Sequence, residues 1–465
     1  MEKSKFLEIF ETLSKVEQNR FKKWVHSPYH NQQERLKTLL DYFLKEKKYS
    51  LEGAYKAAFP KEEFKAQQLR NNLSYLQKLL EDFLLHETME QAPTLKQNLL
   101  LSIYRTRGAS KGFQATARKQ SLTLEKEPYR NIAYYYSEYR LQEEQYLFLQ
   151  QQKRLESKNL QEVLNSLDTY YLANKLKYCM AALTHQQVFS THYQLNYVQE
   201  VLKQVEEGDW LHIPTIAVYY YSYQALIDNK NIAACQALKR TFLEHWDLFE
   251  LEELKDFYLI TINFFIKQLN RGDLSFAEEV FGLYQSGLER SVFVQQGHLS
   301  RFTYKNIVAI GIKCEAYDWV EQFIEAYTPY LLRIHQTTYK AYNQAKLYYQ
   351  IKAYKKAMLC LQTLEPYDRE LVIDSKVTLM KIYYELEEYN ALEALLESFH
   401  VYIKRNKELS AYLQTSYATL IRYFKKLQQY NIYEATARLA LQKAIKEEPQ
   451  LPERRWLLEQ LAKTS

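Results

Sequence analysis

Between residues 301 and 400 the apolar positions repeat with one spacing. Counting from Tyr317, the apolar residues Val320, Ile324 and Tyr327 follow at offsets of 3, 7 and 10. The same offsets lead from Tyr354 to Ala357, Leu361 and Leu364, and from Tyr389 to Leu392, Leu396 and Phe399. Such spacing is one stripe of an α-helix. A stripe cannot be buried within its own helix, so each needs a neighbour. The segments just upstream supply one: Ile307, Val308 and Ile312, then Ala345, Tyr348 and Tyr349, then Leu379, Ile382 and Tyr383. Each Leu or Ile removed from water contributes about 1.5–3 kcal/mol. One helix pair buries too little to stand alone, so successive pairs are expected to stack.

Tyr317, Tyr354 and Tyr389 fall 37 and then 35 residues apart, a period that marks an array of helical hairpins. Each tyrosine follows a short turn, Glu315-Ala316, Lys352-Ala353 and Glu387-Glu388, and opens a second helix. Fainter copies flank the clear ones. Leu274, Ala277, Phe281 and Tyr284 keep the spacing; Ile232, Cys235 and Phe242 keep it with Lys239 at offset 7; Ile432, Ala435 and Leu439 start a last copy with Gln442 at offset 10.

On these residues the chain resembles the tetratricopeptide-repeat (TPR) superfamily, over about residues 215–445. Val308, Ala345 and Met380 stand where that family places a glycine, and Pro329 and Pro366 lie near where it closes a repeat with proline. The resemblance implies an all-α fold, an α-solenoid of stacked antiparallel helix pairs whose first helices line a concave groove. By alignment to the matched tyrosines, that groove would present Lys305, Ala309 and Ile312, then Tyr342, Lys346 and Tyr349, then Asp374, Lys381 and Tyr384. It implies a non-enzymatic protein-interaction scaffold. The lysines suit an acidic or C-terminal peptide, and aromatic rims suit interface anchors; Lys305, Tyr342, Lys346, Tyr349, Lys381 and Tyr384 are the candidate contacts.

Residues 1–90 follow a different pattern and are expected to form a helical module of their own. Helices are expected over about 4–12, 34–47 and 62–86, with a capping box at Ser14 and Glu17 opening another. Pro28 and Pro60 end two of them. Leu69, Leu73, Leu76, Leu80 and Phe83 share one stripe. With Ser27-Pro28-Tyr29, this stretch resembles the N-terminal region of a family of uncharacterised bacterial helical-repeat proteins. Pro93 marks the next junction, and residues 91–214 read as irregular long helices, among them an apolar one around Leu167–Leu183. Residues 446–465 carry a short helix around Trp456, Leu457 and Leu461 that would cap the array.

Composition strengthens the all-helical reading: 9 Gly and 9 Pro in 465 residues is far below the usual share of about 12%. The 42 tyrosines suit thin helical layers, where a ring is buried and its hydroxyl stays wet. Charge adds a second candidate. Lys96, Arg105, Arg107, Lys111, Arg118, Lys119, Lys126 and Arg130 face only Glu125 and Glu127, so residues 96–130 carry the chain's whole net charge of +6. Two helices with solvated basic faces account for that; the alternative is a polyanion site at Arg105, Arg107, Lys111, Arg118 and Lys119 for nucleic acid or an acidic partner.

Signatures of catalysis and metal binding are missing. His26 and His30 are four apart, but Pro28 between them breaks the helical face a metal pair would need. Gly108–Gly112 lacks the lysine-hydroxyl ending of a phosphate loop. Cys179, Cys235, Cys314 and Cys360 show no paired spacing, which fits reduced core cysteines. The N-terminus lacks an apolar secretion core. No catalytic residue, metal or cofactor is expected, and the expected compartment is the cytoplasm.

Overall fold

The computed structural model describes residues 4–46, 49–151, 158–362, 369–406, 409–429 and 435–463. The fold is all-α. Among the described residues the only strands are a two-residue hairpin, Val294–Gln295 against His298–Leu299. Its turn places Gln296 and Gly297 at φ 49° and 76°, the left-handed pair a tight hairpin needs. No described helix is long and apolar enough to cross a membrane. The chain divides into two units, residues 1–219 with 247–249, and residues 220–246 with 250–465.

The first unit starts with α1 (Lys5–Phe10), α2 (Lys15–His26), α3 (Glu34–Lys45), α4 (Leu51–Ala58) and α5 (Ala66–Gln91), which share one core around Phe6, Phe21, Leu40, Leu76 and Phe83. The Ser14–Glu17 capping box is present: the Ser14 N–H donates to Glu17 Oε2 at 2.7 Å, and the Glu17 N–H to Ser14 Oγ at 3.3 Å. The turn at Pro28 is held by the buried Asn31 amide, which donates to the Val25 carbonyl at 3.0 Å and accepts from the Gln33 N–H at 2.9 Å. There His26 faces Asp41 and His30 stacks on Trp24. Helix α5 begins at Ala66, later than the pattern suggests, because Phe64 is used edge-on against Tyr55, 5.3 Å between ring centres, before the helix opens. Then come α6 (Pro93–Thr106), α7 (Ser110–Lys126), α8 (Ile132–Gln150), α9 (Leu160–Val188) and α10 (Val198–Glu207). Helix α11 (Pro214–Ile227) runs across the division.

The second unit continues with α12 (Ile232–Glu244), α13 (Leu251–Asn270), α14 (Phe276–Glu289), α15 (Arg301–Lys313), α16 (Tyr317–Tyr327), α17 (Arg333–Gln350), α18 (Tyr354–Gln362), α19 (Arg369–Glu385), α20 (Tyr389–Arg405), α21 (Ala411–Gln429), α22 (Ala435–Glu447) and α23 (Arg454–Lys463). From α12 to α21 each helix packs on its sequence neighbours, α23 packs on α22 and α21, and α15 and α17 also pack side by side, as do α17 and α19. The predicted stripes are buried: Val320 and Ile324, Ala357 and Leu361, Leu392, Leu396 and Phe399.

Tyr317, Tyr354 and Tyr389 each open a second helix, after the same turn. Two residues before each, Glu315, Lys352 and Glu387 adopt left-handed φ of 57°, 59° and 59°. One residue later the backbone N–H reaches back to a carbonyl of the preceding helix: Ala316 to Gly311, Ala353 to Tyr348 and Glu388 to Tyr383, at 2.8–3.0 Å. This is the Schellman closure of a helix end. Gly311 also lets α15 and α16 come close, since a Cβ there would meet Val320 at 2.5 Å. The turn recurs in the first unit, where Gly108 has φ 68° and the Ala109 N–H reaches Tyr104.

The fainter copies depart from the expected spacing. Leu274 is exposed and lies outside α14, because Asp273 accepts from the Ser275 N–H and the helix starts at Phe276. Val280 and Leu283 take the buried seats beside Tyr284. Ile232 and Leu439 are exposed as well. Ile432 and Leu364 lie outside the described residues. At the C-terminal end Trp456, Leu457 and Leu461 of α23 are buried with Leu420 and Phe424.

Candidate functional site

Helices α15, α17 and α19 carry one basic residue each to a shared cavity of about 340 Å³. Lys305, Tyr342, Lys346, Tyr349 and Lys381 line it, together with Ala309, Ile312 and Asp374. Five of the six candidate groove residues therefore meet. Tyr384 does not. It turns into the aromatic packing of the last helices, edge-on to Trp456 at 5.5 Å and to Phe424 at 6.5 Å, where burial pushes its hydroxyl up to about 12. A second cavity of about 470 Å³ shares Ala309, Ile312, Tyr349 and Lys381 with the first and continues to Trp456 and Lys463 of α23.

The three lysines are not equivalent. Lys305 Nζ lies 3.8 Å from Asp374 Oδ2, which also accepts from the Tyr342 hydroxyl at 2.7 Å. Lys381 pairs with Glu453 and sits over the rings of Tyr349 and Trp456. Lys346 has neither an ion pair nor a hydrogen bond among the described residues; its ammonium lies 5.6 Å above the Tyr342 ring. Its side chain is half-buried, and the ammonium is largely desolvated. That desolvation, with Lys381 and Lys305 adding repulsion against the pull of Asp374 and Glu453, holds its pKa below the ordinary lysine value. A desolvated cation with so little compensation is destabilised in its charged form.

Beside it is a carboxylate with the opposite balance. Glu385 accepts from the Tyr349 hydroxyl at 2.6 Å, from the Tyr354 hydroxyl, and from Trp456 Nε1 at 2.7 Å. Burial opposes its charge, but the three donors outweigh it and keep the carboxyl below its usual value. Burial and the same carboxylate push both tyrosine hydroxyls up. Glu385 is a knot tying α17, α18, α19 and α23 together. Its role escapes sequence reasoning because Trp456 donates from 71 residues away.

The second candidate, residues 96–130, is divided by the structure. Arg105 is committed inward: its Nε donates at 2.7 Å to the buried Glu144, whose other oxygen is 3.4 Å from Arg140. Lys96 pairs with Glu90, and Arg130 lies over the Tyr134 ring and donates to the Tyr129 carbonyl. Arg107, Lys111, Arg118, Lys119 and Lys126 are exposed.

Among the described residues no cluster of three or more His, Cys, Asp or Glu is arranged to hold a metal. Burial raises the pKa of all four thiols, those of Cys179, Cys235, Cys314 and Cys360, which keeps them from the reactive thiolate form. Neither a family model, nor a curated protein, nor a solved structure matches the chain.

Proposed function

We propose that the chain is a non-enzymatic, cytoplasmic interaction scaffold, a TPR-like α-solenoid whose inner wall receives an acidic segment or a C-terminal carboxylate of a protein partner. The observation that carries this reading is Lys346. Lys305 and Lys381 have their counter-charges in Asp374 and Glu453, while Lys346 has none. An arriving carboxylate would supply the missing counter-charge and restore the ammonium's pKa. Tyr342 and Tyr349 would flank it as rigid anchors that lose little entropy on binding.

Binding of labelled peptides tests this, using pairs identical except for acidic against amide side chains. The acidic member binds the wild type more tightly, and Lys346→Met loses about tenfold, or about 1.4 kcal/mol, for that member alone. Equal loss for both members, or none, removes the reading. In cells, crosslinked partners retained by a Lys346→Glu, Lys381→Glu chain would count equally against it.

A second reading is supported by the outward set Arg107, Lys111, Arg118 and Lys119, which suits the phosphates of a nucleic acid. Its test is retention on heparin and duplex DNA after Arg107→Glu, Arg118→Glu and Lys119→Glu, with Arg105 left in place. Unchanged retention removes it. Support requires weaker binding and a salt dependence shallower by about 0.9 for each phosphate no longer neutralised.

A further inference from the structure

Helix α9 carries apolar residues on two faces, and the fold uses only one. Inward it buries Leu172, Ala173, Leu176, Cys179 and Met180, against α8 and α10. Outward, Leu160, Leu164, Leu167, Tyr171, Tyr178 and Val188 are 46%, 51%, 37%, 45%, 67% and 72% exposed. Their spacing is 4, 3, 4, 7 and 10, which is the alternating a and d positions of a heptad. Asn174, Ala181 and His185 fill the remaining a and d seats, so the register runs unbroken over the 29 residues of the helix. A helix apolar on opposite faces is one that is covered on both sides. A bilayer does not provide that cover by spanning, since Glu162, Asp168, Lys175 and Lys177 interrupt the helix.

The flanking charges identify what does. In this register Asp168 and Lys175 occupy successive e positions on one edge of the seam, and neither has an ion pair among the described residues. A helix running antiparallel, with its dyad between them, sets Asp168 of each copy against Lys175 of the other. It also layers Leu164 on Ala181 and Leu167 on Tyr178 of the second copy. A parallel arrangement leaves both charges unmatched. We propose that the chain forms a homodimer through this face, the α9 helices of two copies packing antiparallel as a two-stranded coiled coil. Asn174 and His185 act as the polar seats that fix register, as single polar residues do in such seams.

Sedimentation of the full chain tests this. The expected mass is twice 55.8 kDa at micromolar concentration. Leu164→Glu with Leu167→Glu weakens association by at least about a hundredfold. The monomer's helicity and melting should be retained, because both side chains face outward. Asp168→Lys alone weakens it about threefold to tenfold, and Asp168→Lys with Lys175→Asp restores it. Orientation is read by oxidation. Leu164→Cys with Ala181→Cys gives a covalent dimer, because residues about 26 Å apart along one helix cannot pair within a chain. Leu164→Cys alone stays monomeric on a denaturing gel. A monomer at about 50 µM, roughly tenfold above micromolar association, would overturn the proposal. So would a dimer indifferent to the double glutamate variant, or a covalent dimer from Leu164→Cys alone. Binding of a monomeric chain to phosphatidylglycerol vesicles, lost in the same variant, would give the face to a lipid surface and equally overturn it.

Discussion

The two basic regions differ in how their charges are held. In the wall formed by α15, α17 and α19, three lysines sit among tyrosine rings at low solvent exposure, and one of them has no counter-ion. In residues 96–130, five basic side chains stand in water while Arg105 is folded inward onto Glu144. Water screens exposed charges so that each matters little by itself. Desolvation makes each charge in the wall matter, whether satisfied or not. The comparison teaches that a net charge of +6 is a poor guide to where an anion would be held firmly.

The sharpest way to break the comparison is Arg105→Ala. It leaves Glu144, buried at 2% exposure, with Arg140 at 3.4 Å as its remaining cation, and should cost the first unit about 3 kcal/mol in urea unfolding, the low end for breaking a buried pair. A loss below about 1 kcal/mol would return Arg105 to the surface set. This is also why charge reversal at Arg105 would confuse a nucleic-acid test.

Next in size is Glu385→Gln, which weakens three hydrogen bonds at once and should lower stability by about 1–3 kcal/mol. Its pH dependence has a defined sign. The carboxyl titrates lower in the folded chain than in the unfolded one. Its stabilisation is therefore complete above the ordinary glutamate value of about 4.3 and is lost as pH falls through the lower folded value. Acid unfolding monitored by far-ultraviolet circular dichroism, wild type against variant, reads this. Parallel acid limbs would contradict the assignment.

Lys346→Met should go the other way, raising stability by about 1 kcal/mol at neutral pH, since it removes a desolvated charge without a partner. The folded pKa of Lys346 is depressed, so between that value and the unfolded value of about 10.4 the unfolded chain holds the extra proton. Wild-type stability then rises with pH across this interval, and the variant lacks that rise. If an acidic peptide binds here, calorimetry in buffers of different ionisation enthalpy shows proton uptake in the same interval. The smallest effect belongs to Arg118→Ala with Lys119→Ala, expected within about 0.5 kcal/mol of wild type. A larger loss would mean that these side chains have partners after all.

The repeats at 301–400 are legible in the sequence because one rule decides them: apolar residues at offsets 3, 7 and 10 must be covered, and Val320, Leu392 and Phe399 are. The capping box at Ser14 is legible for the same reason, a local geometry needing only neighbours in sequence. Spacing fails where a local hydrogen bond competes with it. Asp273 starts α14 late and leaves Leu274 in water. The break at Gly108 is legible from its glycines, but not its kinship with the later turns, because glycine and serine occupy the seats that Glu315 or Lys352 and Tyr317 or Tyr354 hold there. Within the wall, alignment brings five residues to one cavity but misplaces Tyr384, whose fate is decided by Trp456 from a distant helix. Glu144 and Glu385 are invisible for the same cause: a buried carboxylate is defined by donors dozens of residues away.

The left-handed residues at Glu315, Lys352 and Glu387 bear on how such a chain can change length. One added or lost residue between a turn and its helix swings everything downstream by about 100°, and a buried stripe then points at water. Joining Ala316 directly to Tyr354, by contrast, rejoins two junctions that share the same left-handed turn and the same back-bonded N–H. A change of chain length that respects these turns is expected to remove or add a whole hairpin, and a stability measurement on the 317–353 deletion checks it.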